Sequence, residues 1–154
     1  LAQTLGYSIK LIGHAEDRDG KLLAFVSPMA VPESNPLARI DGVFNGILVN
    51  ANMVGDVMFY GPGAGKLPTA SAVVADIVDV IAKRDVPVTP VGWVNAEAAD
   101  LCDVAGYECR RLVIVEGECE NALATLNGKS AYFTDVISDA EAEKLEAAAV
   151  YRVL

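Results

Sequence analysis

A glycine- and proline-rich segment of ten residues most constrains how this chain can fold. Residues 60–69 read Tyr-Gly-Pro-Gly-Ala-Gly-Lys-Leu-Pro-Thr. They follow a segment typical of a β-strand and lead into the longest stretch with helical apolar spacing, residues 69–83. Such a loop lets the backbone approach a phosphate closely, and the helix N-terminus supplies unpaired N–H groups. The alternative is a tight turn whose glycines only provide positive φ angles.

Two common nucleotide-binding motifs do not match this segment. A P-loop requires Ser or Thr after its lysine, but Leu67 follows Lys66. The dinucleotide motif G-x-G-x-x-G requires a glycine at the position of Lys66. Spacing alone therefore identifies no cofactor.

Four segments before the loop have the apolar and polar alternation of β-strands. They are residues 7–15, 21–27, 43–50 and 56–60. Asp19-Gly20 is a hairpin turn signal between the first two segments. Pro28 and Pro32 predict that regular pairing stops after the second segment, because proline has no N–H to donate. Ser34-Asn35-Pro36 predicts a short helical turn, and the first half is predicted to be an antiparallel sheet with a covering helix.

The pattern changes after residues 84–90, which contain two prolines and predict a linker. The predicted elements then alternate between helix and strand. They are a helix at 95–105, a strand at 110–115, a helix at 118–126, a strand at 131–137, a helix at 138–149 and a strand at 150–154. Ser138 and Glu141 form a capping box at the start of the last helix. The predicted class is α+β, a mostly antiparallel mixed sheet followed by a small α/β module.

Composition and charge exclude several classes of protein. The 154 residues carry a formal net charge of −9, so nucleic acids and anionic membrane surfaces are not expected partners. The most apolar window, residues 70–82, contains Asp76 and Asp79, which predicts no membrane span. Residues 1–85 hold 7 basic and 9 acidic side chains, whereas residues 86–154 hold 5 and 12. This asymmetry indicates two units.

The other chemistry-bearing residues form no catalytic or metal-binding pattern. His14 is the only histidine, which predicts a surface or edge residue rather than part of a triad. The three cysteines match no zinc or C-x-x-C spacing and are predicted to be reduced thiols of a cytoplasmic protein. The acidic residues at 116–120 lack the spacing of a calcium loop and predict a solvated edge. Trp93 is predicted to be a packing anchor after the linker, and no metal site is expected.

About residues 1–85 resemble a known family. The matching runs are Val-Phe-Asn-Gly-Ile-Leu-Val at 43–49, Val-Met-Phe-Tyr-Gly-Pro-Gly-Ala-Gly at 57–65 and Leu-Pro-Thr-Ala-Ser-Ala-Val-Val-Ala-Asp at 67–76. They resemble the C-terminal part of the catalytic domain of homoserine dehydrogenase. The segments 5–13, 31–32 and 35–38 fall in the family's order too.

The resemblance implies an NAD(P)-dependent oxidoreductase that interconverts L-homoserine and L-aspartate 4-semialdehyde in threonine, methionine and isoleucine biosynthesis. In that family an N-terminal Rossmann domain holds NAD or NADP, and an α/β domain provides homoserine contacts and the dimer interface. The chain is therefore expected to be a C-terminal fragment of a homodimeric enzyme. The Rossmann domain, the catalytic lysine and the acidic substrate ligands are expected upstream of Leu1, so we expect no catalytic residues here and no activity of the fragment alone.

The resemblance also carries over four site residues. Gly65 resembles the family glycine that contacts the cofactor from the side of the substrate domain, with Gly61 and Gly63 as companions. Asn35 stands where the family usually has the histidine of a His-Pro-Leu-Ala turn near the substrate. Asparagine forms hydrogen bonds but does not titrate near neutral pH, which argues against a proton relay at this position.

The second half resembles the ACT regulatory domain that ends many homoserine dehydrogenases. The segments that resemble its strands and second helix are residues 111–115, 131–135, 138–148 and 150–154. The usual Asp-Arg-Pro-Gly after the first strand is replaced by Glu-Gly-Glu-Cys at 116–119. The predicted domains are the substrate-domain part at 1–85, a linker and helix at 86–106, and a shortened ferredoxin-like ACT module at 107–154. This module is predicted to be a degraded form of the domain that no longer binds an effector, which the resemblance implies to be an amino acid such as threonine. The alternative is a stand-alone amino-acid-sensing or dimerisation module.

Overall fold

The computed structural model describes residues 1–87, 92 and 94–154 of the chain. By their contacts the residues divide into two units, one of Leu1–Ala38 with Asn95–Leu154 and one of Arg39–Val94. None of the helices in the described ranges combines the length and the apolar character that crossing a bilayer requires.

The elements of the described residues are mainly strands. In chain order the strands are β1 (Tyr7–Arg18), β2 (Lys21–Pro32), β3 (Phe44–Ala51), β4 (Gly55–Pro62), β5 (Glu108–Cys109), β6 (Arg111–Glu116), β7 (Ala124–Leu126), β8 (Lys129–Phe133), β9 (Ile137–Ser138) and β10 (Ala149–Val153). The helices are α1 (Lys66–Ala82) and α2 (Asp139–Ala142), with 3-10 turns at Gln3–Leu5, Pro36–Arg39, Ala98–Asp100 and Val104–Gly106.

The first unit is built on a mixed six-stranded sheet. Its strand order is β1-β2-β10-β6-β8-β7, and only the contact between β2 and β10 is parallel. The prediction of an α+β fold with a mostly antiparallel mixed sheet is confirmed at this level. The domain limits 1–85, 86–106 and 107–154 stay a prediction, although strands from both ends of the chain share this sheet.

The β1–β2 hairpin forms where the turn signal predicted it. Asp19 and Gly20 have φ angles of 54° and 81°, the positive values that a two-residue hairpin turn requires. The N–H of Gly20 donates to Oδ1 of Asp17 at 2.8 Å. Arg18 and Lys21 are therefore paired directly across the turn.

The prediction that pairing stops at Pro28 and Pro32 is wrong, because β2 stays paired with β1 to its end. Peptide groups of successive strand residues point to opposite edges of the strand. The carbonyl of Ala30 accepts from the N–H of Leu154 at 3.1 Å, so Ala30 faces β10. Both prolines lie two residues from Ala30 and face the same edge. Their missing N–H groups therefore cost no hydrogen bond of the β1–β2 ladder.

The core of the first unit lies on both faces of β2. Met29 and Val31 are fully buried on one face, where they pack with Ala38. Ala30 is fully buried on the other face with Leu112 and Ala131. This two-sided burial gives the segment a nearly continuous apolar run instead of a clean alternation.

The predicted helices at 95–105 and 118–126 are wrong. The first segment contains only two 3-10 turns, and Glu97 rather than Asn95 caps the first of them in a capping box with Asp100. In the second segment, residues 124–126 form β7, which pairs with β8 across a turn at Asn127-Gly128. The positive φ angles of these two turn residues, 54° and 74°, make a hairpin there.

The last predicted helix is much shorter than expected. Its capping box at Ser138 and Glu141 is present, but α2 ends at Ala142. The N–H of Ala148 already donates to the carbonyl of Ile114 at 2.8 Å, on the neighbouring strand. Pairing of β10 with β6 therefore ends the helix.

The second unit contains the β3–β4 hairpin and α1. Both strands are confirmed, and the helix predicted at 69–83 begins earlier, at Lys66. Helix α1 buries none of its side chains. Its exposed large apolar residues are Leu67, Val73, Val74, Ile77, Val78, Val80 and Ile81. The last part of the predicted linker, residues 88–90, and the predicted anchor Trp93 lie outside the described residues.

Candidate functional site

The glycine-rich loop leaves the end of a regular hairpin. Gly61 is paired with Asn45 and Pro62 with Phe44 in the β3–β4 register. The N–H of Gly63 donates to the carbonyl of Val43 at 3.2 Å, which extends the hairpin by one more contact. The loop therefore starts from a fixed backbone position.

Gly63 lies where the backbone passes close to a neighbouring side chain. A Cβ atom built on Gly63 would clash with Nδ2 of Asn45 and lie 3.3 Å from its Cβ. Asn45 is exposed, and its Nδ2 is 3.5 Å from the carbonyl oxygen of Val43. Any larger residue at position 63 must displace the Asn45 side chain.

Gly65 has a backbone conformation that favours glycine strongly. Its φ and ψ angles are 116° and 158°, a region that residues with a Cβ almost never enter. Gly65 is the N-cap of α1, and its carbonyl accepts from the N–H of Thr69 at 3.2 Å. No side chain caps this end and no acidic residue lies in the first turn. The positive end of α1 is thus left open to an external anion.

Gly61 has open space where a side chain would stand. A Cβ atom at this position meets no heavy atom within 4 Å, and its φ angle lies outside the positive region. Neither packing nor backbone conformation within the described residues therefore explains a glycine here.

Asn35 lies in the first unit, whereas the three glycines lie in the second. Its Oδ1 accepts from the N–H of Leu37 at 2.9 Å, and its backbone carbonyl accepts from the N–H of Ala38 at 3.0 Å. The side chain therefore supports the 3-10 turn at Pro36–Arg39. This local bond uses the amide oxygen and leaves the amide nitrogen as the donor for another group.

His14 packs within an aromatic group on the first unit. Its ring stacks on Phe25 with a centroid distance of 5.1 Å and contacts Tyr107 at 5.8 Å. Nε2 is buried without a hydrogen bond, although it lies 3.4 Å from Oε2 of Glu16. In the part of the chain that the structure describes, no three His, Cys, Asp or Glu residues are grouped as a metal site requires.

Sequence patterns missed a group of charged residues in the first unit, here called the arginine–aspartate cluster (Arg111, Asp139 and Arg152). Nη2 of Arg111 donates to Oδ1 of Asp139 at 2.7 Å, and Nε of Arg152 donates to the same oxygen at 3.0 Å. Nη2 of Arg152 donates to Oδ2 of Asp139. This hydrogen bonding raises the pKa of Arg152 above its ordinary value. The one local signal was an arginine at the start of an otherwise apolar strand.

Comparison with known protein families shows to which family the chain belongs. The family model described as homoserine dehydrogenase matches residues 1–78, half of the sequence. The chain belongs to the homoserine dehydrogenase family. The resemblance inferred from the motif runs is thereby confirmed.

Curated homoserine dehydrogenases from several bacteria match the same part of the chain. The enzyme of Neisseria gonorrhoeae is 53% identical over 79 residues, which are 51% of this chain and 18% of that protein. The enzyme of Lactococcus lactis is 45% identical over 85 residues, 55% of this chain and 20% of that protein. The chain thus spans about a fifth of the length of these homoserine dehydrogenases.

Solved homoserine dehydrogenase structures match nearly the whole chain. The crystal structure from Thiobacillus denitrificans has a TM-score of 0.72 and 27% identity, covering 99% of this chain and 44% of that one. The S. aureus structure at pH 6.0 has a TM-score of 0.67 and 25% identity, covering 99% of this chain and 43% of that one. The likeness to homoserine dehydrogenases therefore extends beyond residue 78.

The family match contains all four predicted site residues, since Asn35, Gly61, Gly63 and Gly65 lie within residues 1–78. The arginine–aspartate cluster lies after this range. It falls within the part of the chain that the solved homoserine dehydrogenase structures match.

Proposed function

We propose that this chain forms part of a homoserine dehydrogenase that interconverts L-homoserine and L-aspartate 4-semialdehyde with NAD or NADP. The observation that carries the proposal is the loop from Gly61 to Gly65. It leads into the uncapped, positive end of α1 and lies within the segment matched by the family. The curated relatives are homoserine dehydrogenases, which supports this reaction.

The glycine loop fits a phosphate-bearing cofactor. Gly61, Gly63 and Gly65 present backbone without side chains, and the first turn of α1 carries no acidic residue that would repel a phosphate. The nicotinamide cofactor supplies the acceptor for a hydride when it is bound. We assign the three glycines to the cofactor site. They contact the nicotinamide cofactor from the side of the substrate domain, with Gly65 as the principal contact.

Asn35 is proposed to lie near the substrate in the assembled enzyme. Its amide nitrogen donates a hydrogen bond to a substrate oxygen, while its amide oxygen stays engaged with Leu37. Because asparagine does not titrate near neutral pH, it orients the substrate and carries no proton. The proton of the reaction is assigned to a residue outside these 154.

Activity is proposed to require parts of the enzyme beyond this sequence. The exposed apolar residues of α1 belong to a surface that another part of the enzyme would cover. The test is oxidation of L-homoserine with NAD and with NADP, measured by the absorbance of the reduced nicotinamide. We expect no turnover by the 154-residue chain and turnover by a longer homoserine dehydrogenase that contains it. Turnover by the chain alone would overturn this part of the proposal.

The role of Gly65 is tested in that longer enzyme with a matched control. Gly65→Ala places a Cβ where the backbone approaches the cofactor, and it also strains a positive φ angle. Gly55→Ala provides the control, since Gly55 has a φ of 73° in the β3–β4 turn and open space around its Cβ. We expect a higher KM for the nucleotide in Gly65→Ala only. Equal KM values in both variants and the parent would remove Gly65 from the cofactor site.

A second proposal concerns residues 107–154 as a shortened ACT-like regulatory module. It is supported by the antiparallel neighbours β10, β6 and β8 and by the capping box at Ser138. Within the helix predicted at 118–126, residues 124–126 form a strand instead. Calorimetric titration with threonine, methionine and homoserine tests whether this module still senses an amino acid, and the absence of heat with all three would overturn the sensing alternative.

The assembled enzyme is proposed to be a homodimer, as the family resemblance implies. Sedimentation equilibrium of the longer enzyme tests this directly. A mass equal to one chain at micromolar concentration would contradict the proposal.

A further inference from the structure

A cavity of about 310 Å³ lies in the first unit beside the arginine–aspartate cluster. Its polar lining consists of Ser27, Arg111, Asp139, Glu143 and Arg152, and three apolar side chains complete it. The volume is at the lower end of the range of small-molecule sites. The cavity thus combines buried charge with a short apolar wall.

Arg111 is the most buried charged group of this cavity. Its side chain is 2% exposed, and Nη2 is directed at Asp139 and at the carbonyl oxygens of Tyr107 and Ile137. Nε is buried and finds no acceptor among the described residues. A guanidinium has five N–H donors, and a buried donor without an acceptor is costly. The arginine is therefore incompletely satisfied by the chain itself.

The charges of the cluster do not balance. Asp139 is the single carboxylate between two guanidinium groups, and both of its oxygens already accept hydrogen bonds. Glu143 also lines the cavity, but it lies beyond ion-pair distance of either arginine. The three charges of the cluster therefore sum to +1, although both arginines share Asp139 and Arg152 also lies over the ring of Phe25. Such a cluster favours an anion with a single charge.

We propose that this cavity is a binding site for a small aliphatic monocarboxylate. The carboxylate accepts hydrogen bonds from guanidinium N–H groups that Asp139 does not use, and its single charge compensates the cluster. The short alkyl chain lies against Ala142, Leu145 and Val150, the apolar residues of the lining. Glu143 disfavours a doubly charged anion such as sulfate. The cavity belongs to the first unit and the glycine loop to the second, and the proposal does not depend on homoserine dehydrogenase activity.

The test is calorimetric titration of the 154-residue chain with propionate and with sulfate at constant ionic strength. We expect saturable binding of propionate and none of sulfate. Arg152→Gln should weaken propionate binding by about tenfold or more, because it removes the charge that the ligand compensates. Arg110→Gln is the matched control, since Arg110 is exposed, stacks over Phe133 and does not line the cavity. It should bind propionate like the parent chain.

A second variant keeps the proposal testable if Arg152→Gln does not fold. Glu143→Gln removes the exposed carboxylate of the lining and should tighten propionate binding and permit sulfate binding. Absence of propionate binding by the parent chain would overturn the proposal. Equal propionate affinity in the parent, Arg152→Gln and Glu143→Gln would overturn it as well, and so would equal affinity of the parent for propionate and sulfate. If threonine does not bind the ACT-like module, the monocarboxylate proposal is unaffected, because its probe is propionate.

Discussion

Arg111 and Asp139 are 28 positions apart in the sequence, and their Nη2 and Oδ1 atoms lie 2.7 Å apart in the first unit. The two side chains are 2% and 13% exposed. Arg111 begins β6 and Asp139 begins α2, so this ion pair fixes the short helix against the sheet. Removing either partner would leave a buried charge without compensation.

Substitution of Asp139 is therefore expected to destabilise the first unit strongly. Asp139→Ala should lower the free energy of unfolding by about 3–5 kcal/mol, because two guanidinium groups lose their shared carboxylate. Urea denaturation followed by circular dichroism measures the change. Asp135→Ala, at an exposed position nearby, should change the free energy by less than about 0.5 kcal/mol. Similar stability of both variants would contradict a structural role for the pair.

The capping box at the start of α2 gives a second prediction. Oγ of Ser138 accepts from the N–H of Glu141 at 3.2 Å, and the Glu141 carboxylate accepts from the N–H of Ser138 at 2.9 Å. Ser138→Ala should cost about 1 kcal/mol of unfolding free energy. Ser138→Asp keeps an N-cap acceptor and should be close to the parent in the same denaturation experiment. A larger loss in Ser138→Asp than in Ser138→Ala would contradict the capping role.

Local signals predicted those parts of the fold that neighbouring residues decide. The turn at Asp19-Gly20 needs positive φ angles, which these residues tolerate, and it forms. The helix predicted at 118–126 failed because residues 124–126 pair with the adjacent strand β8. The helix predicted to 149 is cut short, and β10 follows it and pairs with the sequence-distant strand β6. Helical propensity is small compared with such pairing and burial.

The candidate sites divide in the same way. The glycine loop is contiguous in sequence and could be found from its residues. The arginine–aspartate cluster joins residues of three elements, and their spacing in the sequence does not predict that they are in contact. Only the sheet topology, which places β10 next to β6, brings Arg111 and Arg152 to the same carboxylate.

Close contact between Gly63 and Asn45 gives a third prediction. Gly63→Ala should cost about 1 kcal/mol, because its Cβ displaces the Asn45 side chain. Asn45→Ala removes the obstructing amide, so the double variant should lose less than the sum of the single losses by about 0.5–1 kcal/mol. Gly61→Ala is the control, since open space surrounds its Cβ, and it should change stability by less than about 0.5 kcal/mol. Strict additivity of Gly63→Ala and Asn45→Ala would contradict the steric account.

Buried thiol and phenol groups predict a loss of stability at alkaline pH. Burial raises the pKa of the Cys109 thiol above its ordinary value of 9.0 and the pKa of the Tyr107 phenol above 10.0. Nearby Arg111 opposes both shifts. As pH rises, the unfolded chain loses these protons first, so the folded state holds more protons over this interval. The free energy of unfolding therefore falls as pH rises, and the stabilisation is fully present only below the unfolded pKa values.

We expect a plateau of stability up to about pH 8 and a decline as pH rises through 9 and above. Urea denaturation at successive pH values measures it. Cys109→Ala and Tyr107→Phe should each make the decline shallower, because each removes one of the two titrating groups. Cys119→Ala provides a control at a second half-buried thiol and should keep the slope of the parent if Cys109 is the titrating thiol. A slope that is the same in the parent, Cys109→Ala and Tyr107→Phe would show that other groups cause the alkaline loss.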